Sequence, residues 1–206
     1  GSLVDSESGQ PVAGARVLFI DKLNRSVEVN ADASGAFGAS NVPPGTLKVT
    51  VEAAGYFPSS NEVTIKPREA TEARIMLNKR PAQPNVVVTG HELKLKKQVH
   101  FNKDSADIMP DSMAILEEIA EALKSHSEIK SVEIQGHTDN QGTPVYNLRL
   151  SQNRAQAVVD ALVKLGIDSG RLQAKGYGQD KPLLPNSSDA NKAKNRRVQL
   201  IIKEKQ

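Results

Sequence analysis

The chain contains no cysteine and no tryptophan in 206 residues. Without cysteine it has no disulfide framework, no thiolate metal site and no cysteine nucleophile. Aromatic residues are scarce: Phe19, Phe37, Phe57, Phe101, Tyr56, Tyr146 and Tyr177 are all there are. So few aromatics exclude a row of bases or sugar rings stacked on aromatic faces, and a bound glycan polymer would be read by other means. No run approaches the roughly 18 consecutive apolar residues of a spanning helix. The opening residues also lack the basic-then-apolar run of a signal peptide, so a targeting or membrane-anchoring segment is expected outside this sequence. His91, His100, His126 and His137 show no paired ligand spacing, so no metal and no cofactor are expected.

What is there has an ordinary globular balance, with 38% hydrophobic and 25% charged residues. The net charge of +3 is unevenly placed. Residues 1–84 hold 9 basic and 9 acidic side chains, and residues 85–206 hold 18 and 15. Six of those 18 (Lys192, Lys194, Arg196, Arg197, Lys203, Lys205) follow position 190, opposed only by Glu204. Without them the second half is net negative, 12 basic against 14 acidic, which argues against a phosphate-tracking groove and nucleic-acid binding.

The two halves differ in pattern. Residues 1–80 show short β-branched runs at 15–20, 26–30, 47–53, 62–66 and 73–77. Leu47, Val49 and Val51 alternate with Lys48, Thr50 and Glu52 at the period of a half-buried strand. Turn formers separate the runs: Ser8-Gly9-Gln10-Pro11, Asp32-Ala33-Ser34-Gly35, Pro43-Pro44-Gly45 and Gly55. A small antiparallel β-sandwich is predicted. Pro81 and Pro84 mark the boundary, and residues 81–90 are expected as a linker.

Residues 91–206 read as a second, α+β domain with helices packed on a mixed sheet, in the order β-α-β-α-β-β. Leu93, Leu95, Val99 and Phe101 share one parity and predict a strand over 91–101. Ile115, Leu116, Ile119, Ala120 and Leu123 form the stripe of an amphipathic helix over 111–125, with Asp111 as its cap. A strand follows through Val132 and Ile134 to Gly136, then a helix over 148–165 closed by Gly166, then strands at 172–175 and 197–203.

The densest polar cluster is Gly136-His137-Thr138-Asp139-Asn140-Gln141-Gly142, a tight loop directly after a strand. Arg154 follows 15 residues after Asp139, on the helix that the loop feeds. A carboxylate and a guanidinium a ligand-width apart match an amino-acid zwitterion, the anion taking the ammonium and the fork taking the carboxylate. The same spacing also fits an Asp139–Arg154 salt bridge that braces the loop. A catalytic reading would recruit Ser105 or Ser151 to His137, but no activated-serine elbow occurs, so no enzyme is expected and His137 is read as a hydrogen-bond donor bracing the loop.

Five motifs in order carry a resemblance: Phe101-Asn102-Lys103-Asp104-Ser105-Ala106-Asp107-Ile108; Gly136-His137-Thr138-Asp139; Asn147-Leu148-Arg149-Leu150-Ser151-Gln152-Asn153-Arg154-Ala155; Gly176-Tyr177-Gly178; and Asn195-Arg196-Arg197-Val198. Together they resemble the OmpA-like C-terminal domain shared by outer-membrane protein A, peptidoglycan-associated lipoproteins and flagellar stator proteins. Residues 1–80 resemble a carboxypeptidase regulatory-like (transthyretin-like) β-sandwich, on Gly9-Gln10-Pro11-Val12-Ala13-Gly14-Ala15, Asp32-Ala33-Ser34-Gly35-Ala36-Phe37, Pro43-Pro44-Gly45 and Gly55-Tyr56.

The resemblance implies non-covalent peptidoglycan binding through the diaminopimelate of the stem peptide, anchoring an envelope protein or assembly to the wall. Asp139 and Arg154 then resemble the pair that holds the ammonium and carboxylate of that residue, flanked by Asp104, Asn147 and Arg196. Asp104 is expected to contribute its backbone N–H, since a second carboxylate would repel the ligand's own. Strand alternation sends Arg196 and Arg197 to opposite faces, so one of them at most lines the pocket. The resemblance further implies the periplasm, or outer-membrane-associated envelope, of a Gram-negative bacterium, and a partner envelope protein for the N-terminal domain. The alternative is a periplasmic protein-interaction adaptor that does not bind peptidoglycan.

Overall fold

Leu47, Val49 and Val51 are buried while Lys48 and Glu52 are exposed, in a computed structural model that describes residues 1–205. The chain divides into two compact units, Gly1–Pro81 and Ala82–Gln206. In the first, β1 (Ser2–Asp5), β2 (Arg16–Ile20), β3 (Ser26–Asn30), β4 (Gly45–Glu52), β5 (Ser59–Ile65) and β6 (Arg74–Leu77) form two sheets. The larger runs β3-β2-β4-β5 and is antiparallel throughout. The smaller pairs β1 with β6 in parallel, from Ser2 opposite Arg74 to Asp5 opposite Leu77, which departs from the all-antiparallel expectation. These two strands lie at opposite ends of the unit's sequence and are joined through the larger sheet, so no hairpin forces them antiparallel.

Leu3, Ile75 and Leu77 from the small sheet meet Val17, Phe19, Leu47, Val49 and Val51 from the large one in a single core. Burying each such side chain contributes roughly 1.5–3 kcal/mol. Asp5 ties the end of β1 to the β4–β5 connection. Its carboxylate accepts the N–H groups of Ser8 (2.8 Å) and Glu7 (3.0 Å) and the hydroxyls of Ser8 and Tyr56 (3.0 Å each). The Ser8 amide, chief among these donors, holds the Asp5 carboxyl down at about 2.

The second unit contains β7 (Val86–Val88), β8 (Glu92–Leu95), α1 (Met113–Ser125), β9 (Ile129–His137), α2 (Pro144–Lys164), β10 (Leu172–Gly176), α3 (Asp189–Asn195) and β11 (Arg197–Lys205). Its sheet runs β10-β9-β11-β8-β7, with β10 parallel to β9 and the other pairs antiparallel. The predicted stripe of α1 is buried as read, and Ala155, Val158, Val159 and Leu162 of α2 join it over Val132, Ile134, Val198 and Leu200.

Several boundaries differ from the expectation. The strand expected over 91–101 stops at Leu95; Val99 and Phe101 face the core from irregular backbone, and Phe101 pairs only with Ile108. Their shared parity reflects packing rather than a ladder. β7 lies inside the expected linker of residues 81–90. It is held there by Asn85, whose backbone and side-chain N–H groups both reach the buried Glu118 carboxylate at 2.6 and 2.7 Å.

Asp111 does not cap α1. It sits in a short 3₁₀ turn, Pro110–Ser112, and bonds the His100 ring (2.9 Å) and the Ser112 hydroxyl (3.2 Å). Helix α2 begins four residues before the expected start, at Pro144. Proline suits the first helical position, and the Thr143 hydroxyl caps the Tyr146 N–H. Gly166 closes it at φ 89° as read. The seven-residue α3, capped by Ser188, carries no apolar period and was not predicted.

Candidate functional site

Two glycines set the position of the site. A Cβ on Gly136 would lie 2.1 Å from the Ser151 carbonyl oxygen, and one on Gly176 would lie 2.5 Å from the Gln152 N. Helix α2 therefore rests directly on the ends of β9 and β10, closer than any side chain permits. The fully buried Ser151 hydroxyl accepts from the Gly178 N–H (2.9 Å) and donates to the Leu148 carbonyl (2.8 Å), which fixes the contact. Residues leaving β9 are thereby delivered over the first turns of α2.

In the polar loop at this point, Thr138 and Asp139 are held by a network of hydrogen bonds. The Thr138 N–H bonds the Gly178 carbonyl (2.9 Å), and the Thr138 hydroxyl donates to the Asp139 carbonyl (2.8 Å). The buried Asn147 amide donates to that same carbonyl (3.3 Å) and to Gln179 Oε1 (2.8 Å). Asp139 is 4% exposed. Its carboxylate accepts the Gln141 N–H at 3.0 Å and Arg196 Nη1 at 2.5 Å. Such a network rigidifies a buried carboxylate in one orientation.

Arg154 projects from α2 toward the same place. Its Nε donates to the Ser105 carbonyl (2.9 Å), its Nη2 reaches the Asn102 carbonyl (3.5 Å), and its guanidinium lies 5.1 Å from the Phe101 ring centroid. Among the described residues Arg154 forms no ion pair. Burial pulls its pKa below the ordinary arginine value, with Arg196 acting the same way, while Tyr146, Asp104 and Asp139 oppose the shift. The loop-bracing Asp139–Arg154 bridge is thus not the arrangement found; Arg196 is the residue paired with Asp139.

All five residues singled out in the sequence, Asp104, Asp139, Asn147, Arg154 and Arg196, line one cavity of about 780 Å³. Asp104 holds a left-handed backbone (φ 52°) and an exposed side chain. Arg197 points elsewhere, as alternation requires: it bonds Gln199 Oε1 (2.9 Å) and the carbonyls of Lys181 (3.2 Å) and Asn195 (3.3 Å). The cavity also takes in Lys103, Tyr146 and Leu150, which lie inside or beside the sequence motifs, and Gln98, Met109 and Ala193, for which the sequence carries no signal.

His137 has a different role from the one expected. It is 2% exposed, stacks on Tyr177 (centroids 5.3 Å apart, planes 8°) and finds no hydrogen-bond partner for either ring nitrogen among the described residues. It braces the sheet end by packing rather than by donating. Desolvation, aided by the charges of Arg197 and Lys181, pulls it down to about 4, so it is neutral at pH 7. Neither candidate nucleophile bonds it: the Ser105 hydroxyl donates to Asp107 (2.7 Å), and Ser151 is committed to backbone.

Residues 100–196 match the model of the OmpA family, and residues 1–78 match that of the carboxypeptidase regulatory-like domain. The peptidoglycan-binding protein ArfA of Mycobacterium tuberculosis is 30% identical over 223 aligned positions, covering 98% of this chain and 68% of ArfA. The chain belongs to the OmpA family. Other similarities to the OmpA family cover less. Outer membrane porin F of Pseudomonas aeruginosa is 35% identical over 111 residues, 53% of this chain and 31% of the porin. The chain thus spans about a third of the length of that relative. Among solved structures, a putative MotB-like protein from Desulfovibrio vulgaris aligns with a TM-score of 0.51 and 27% identity, covering 59% of this chain and 78% of the other.

Proposed function

We propose that this chain binds peptidoglycan non-covalently by gripping the diaminopimelate of the stem peptide, and so anchors an envelope protein or assembly to the cell wall. The observation that carries the reading is the state of Arg154. It is a partly desolvated guanidinium that lines the cavity and forms no ion pair among the described residues, beside a buried carboxylate held in fixed orientation. An incoming ammonium meets Asp139, and the adjoining carboxylate meets the guanidinium N–H groups that Asn102 and Ser105 leave unused. The likeness over nearly the whole chain to a protein named for peptidoglycan binding supports this.

Each charge-assisted hydrogen bond contributes about 1.5–3 kcal/mol, and ordering and desolvation offset much of it. One stem then binds weakly, on the order of micromolar to millimolar, and durable tethering comes from many stems on one sacculus. The cell envelope, on the periplasmic side of the outer membrane, is the compartment where such a ligand is met. The N-terminal unit offers the surface for an envelope protein partner, and no chemistry is required of the chain.

The test compares walls that differ in the third stem residue. The protein pellets with sacculi of the diaminopimelate type and stays in the supernatant with sacculi whose third residue is lysine, which lacks the side-chain carboxylate. Equal pelleting with both walls contradicts the grip on the zwitterion.

A further inference from the structure

The cavity is larger than one zwitterionic side-chain end requires, since about 300–1,000 Å³ suffices for a whole drug-sized ligand. Its second half comes from the segment between β8 and α1, through Phe101, Lys103 and Met109. Lys103 lies within the turn whose Ser105 N–H bonds the Asn102 carbonyl at 3.2 Å. The carbonyls of that turn, at Asn102 and Ser105, are the ones Arg154 holds. Arg154 thus holds the backbone on either side of Lys103, which lines the same cavity. Asp104, next in the chain, is one of the charges that favour the charged form of Arg154, and Lys103 forms no ion pair among the described residues. The result is a second cation on the wall of the cavity that holds Asp139 and Arg154, with the apolar Phe101 and Met109 also lining it.

We propose that Lys103 is a specificity-determining residue that reads a second anion on the ligand, one residue away from the zwitterion. The ligand class is a peptide in which the zwitterionic residue adjoins an acid with a free carboxylate. A peptidoglycan stem whose γ-linked glutamate keeps its α-carboxylate fits, and one carrying the carboxamide does not. This rests on the reading of the site proposed above. A solvent-facing ion pair is modest, so the discrimination expected is about threefold to tenfold in affinity.

The experiment titrates the full chain by calorimetry with two synthetic tripeptides, L-alanyl-γ-D-glutamyl-meso-diaminopimelate and its glutamate α-carboxamide. The wild type is expected to prefer the free acid. Lys103→Gln is expected to bring the affinity ratio to about one, Lys103→Arg to keep the preference, and Lys103→Glu to reverse it. Equal affinity of the wild type for both peptides, or an unchanged ratio in Lys103→Gln, overturns the assignment while leaving the zwitterion grip intact. If neither peptide binds the wild type, the zwitterion grip itself falls, and the role of Lys103 falls with it.

Discussion

Arg196, entering β11, closes an ion pair with Asp139, two residues beyond the end of β9 and 57 positions earlier in the chain. The carboxylate side chain is 6% exposed and the guanidinium side chain 50%. Arg196 thereby holds the Asp139 carboxylate in place, and Arg154 forms no ion pair among the described residues. Had Arg154 taken the place of Arg196 against Asp139, its guanidinium would be committed within the chain and unable to take a ligand carboxylate.

Replacing Arg196 with alanine should leave the fold in place but strip a buried carboxylate of its counter-charge. Losing a fully buried partner costs about 3–5 kcal/mol and a surface one about 0–1. With one partner buried and the other half exposed, a loss of about 1–2 kcal/mol is expected in urea denaturation, together with weaker wall binding.

Gly136→Ala tests the seat of α2. The new methyl would fall 2.1 Å from the Ser151 carbonyl oxygen, which is backbone and cannot rotate away. Helix and sheet must separate, and overpacking of this kind costs about 3 kcal/mol. Thermal unfolding should show a lowered midpoint, with ligand binding lost as the Asp139 loop shifts.

His137 makes stability depend on pH in a defined window. Its pKa is about 4 when folded, against an unfolded value near 6.5, so the unfolded chain takes up the proton first. The His137 contribution is complete above pH 6.5, declines as pH falls, and is fully lost below about 4, where the total amounts to about 3 kcal/mol. His137→Phe keeps a ring against Tyr177 and should flatten this part of the denaturation profile between pH 4 and 6.5.

The stripe Ile115–Leu123 was legible because helix burial imposes its own period, and the loop 136–142 because glycines and small polar residues concentrate there. The glycines were visible as motif letters, but their reason, the close approach of Ser151 and Gln152, is a contact between segments 15 or more residues apart. The Arg196–Asp139 pairing is likewise non-local. Alternation identified that only one of Arg196 and Arg197 could face the cavity, and no local pattern could say what it would bond. β7 and α3 were missed for a simpler reason: three and seven residues are too short for any period to show. The parallel pairing of β1 with β6 joins the two ends of a unit and leaves no mark in either strand's own sequence.

The central claim is most directly tested by co-sedimentation with purified diaminopimelate-type peptidoglycan, comparing the wild type with Asp139→Ala and Arg154→Ala after circular dichroism has verified their folds. The account predicts that the wild type pellets and that each folded variant stays mostly in the supernatant. Wild-type protein that remains soluble, or variants that pellet as well as the wild type, would contradict it.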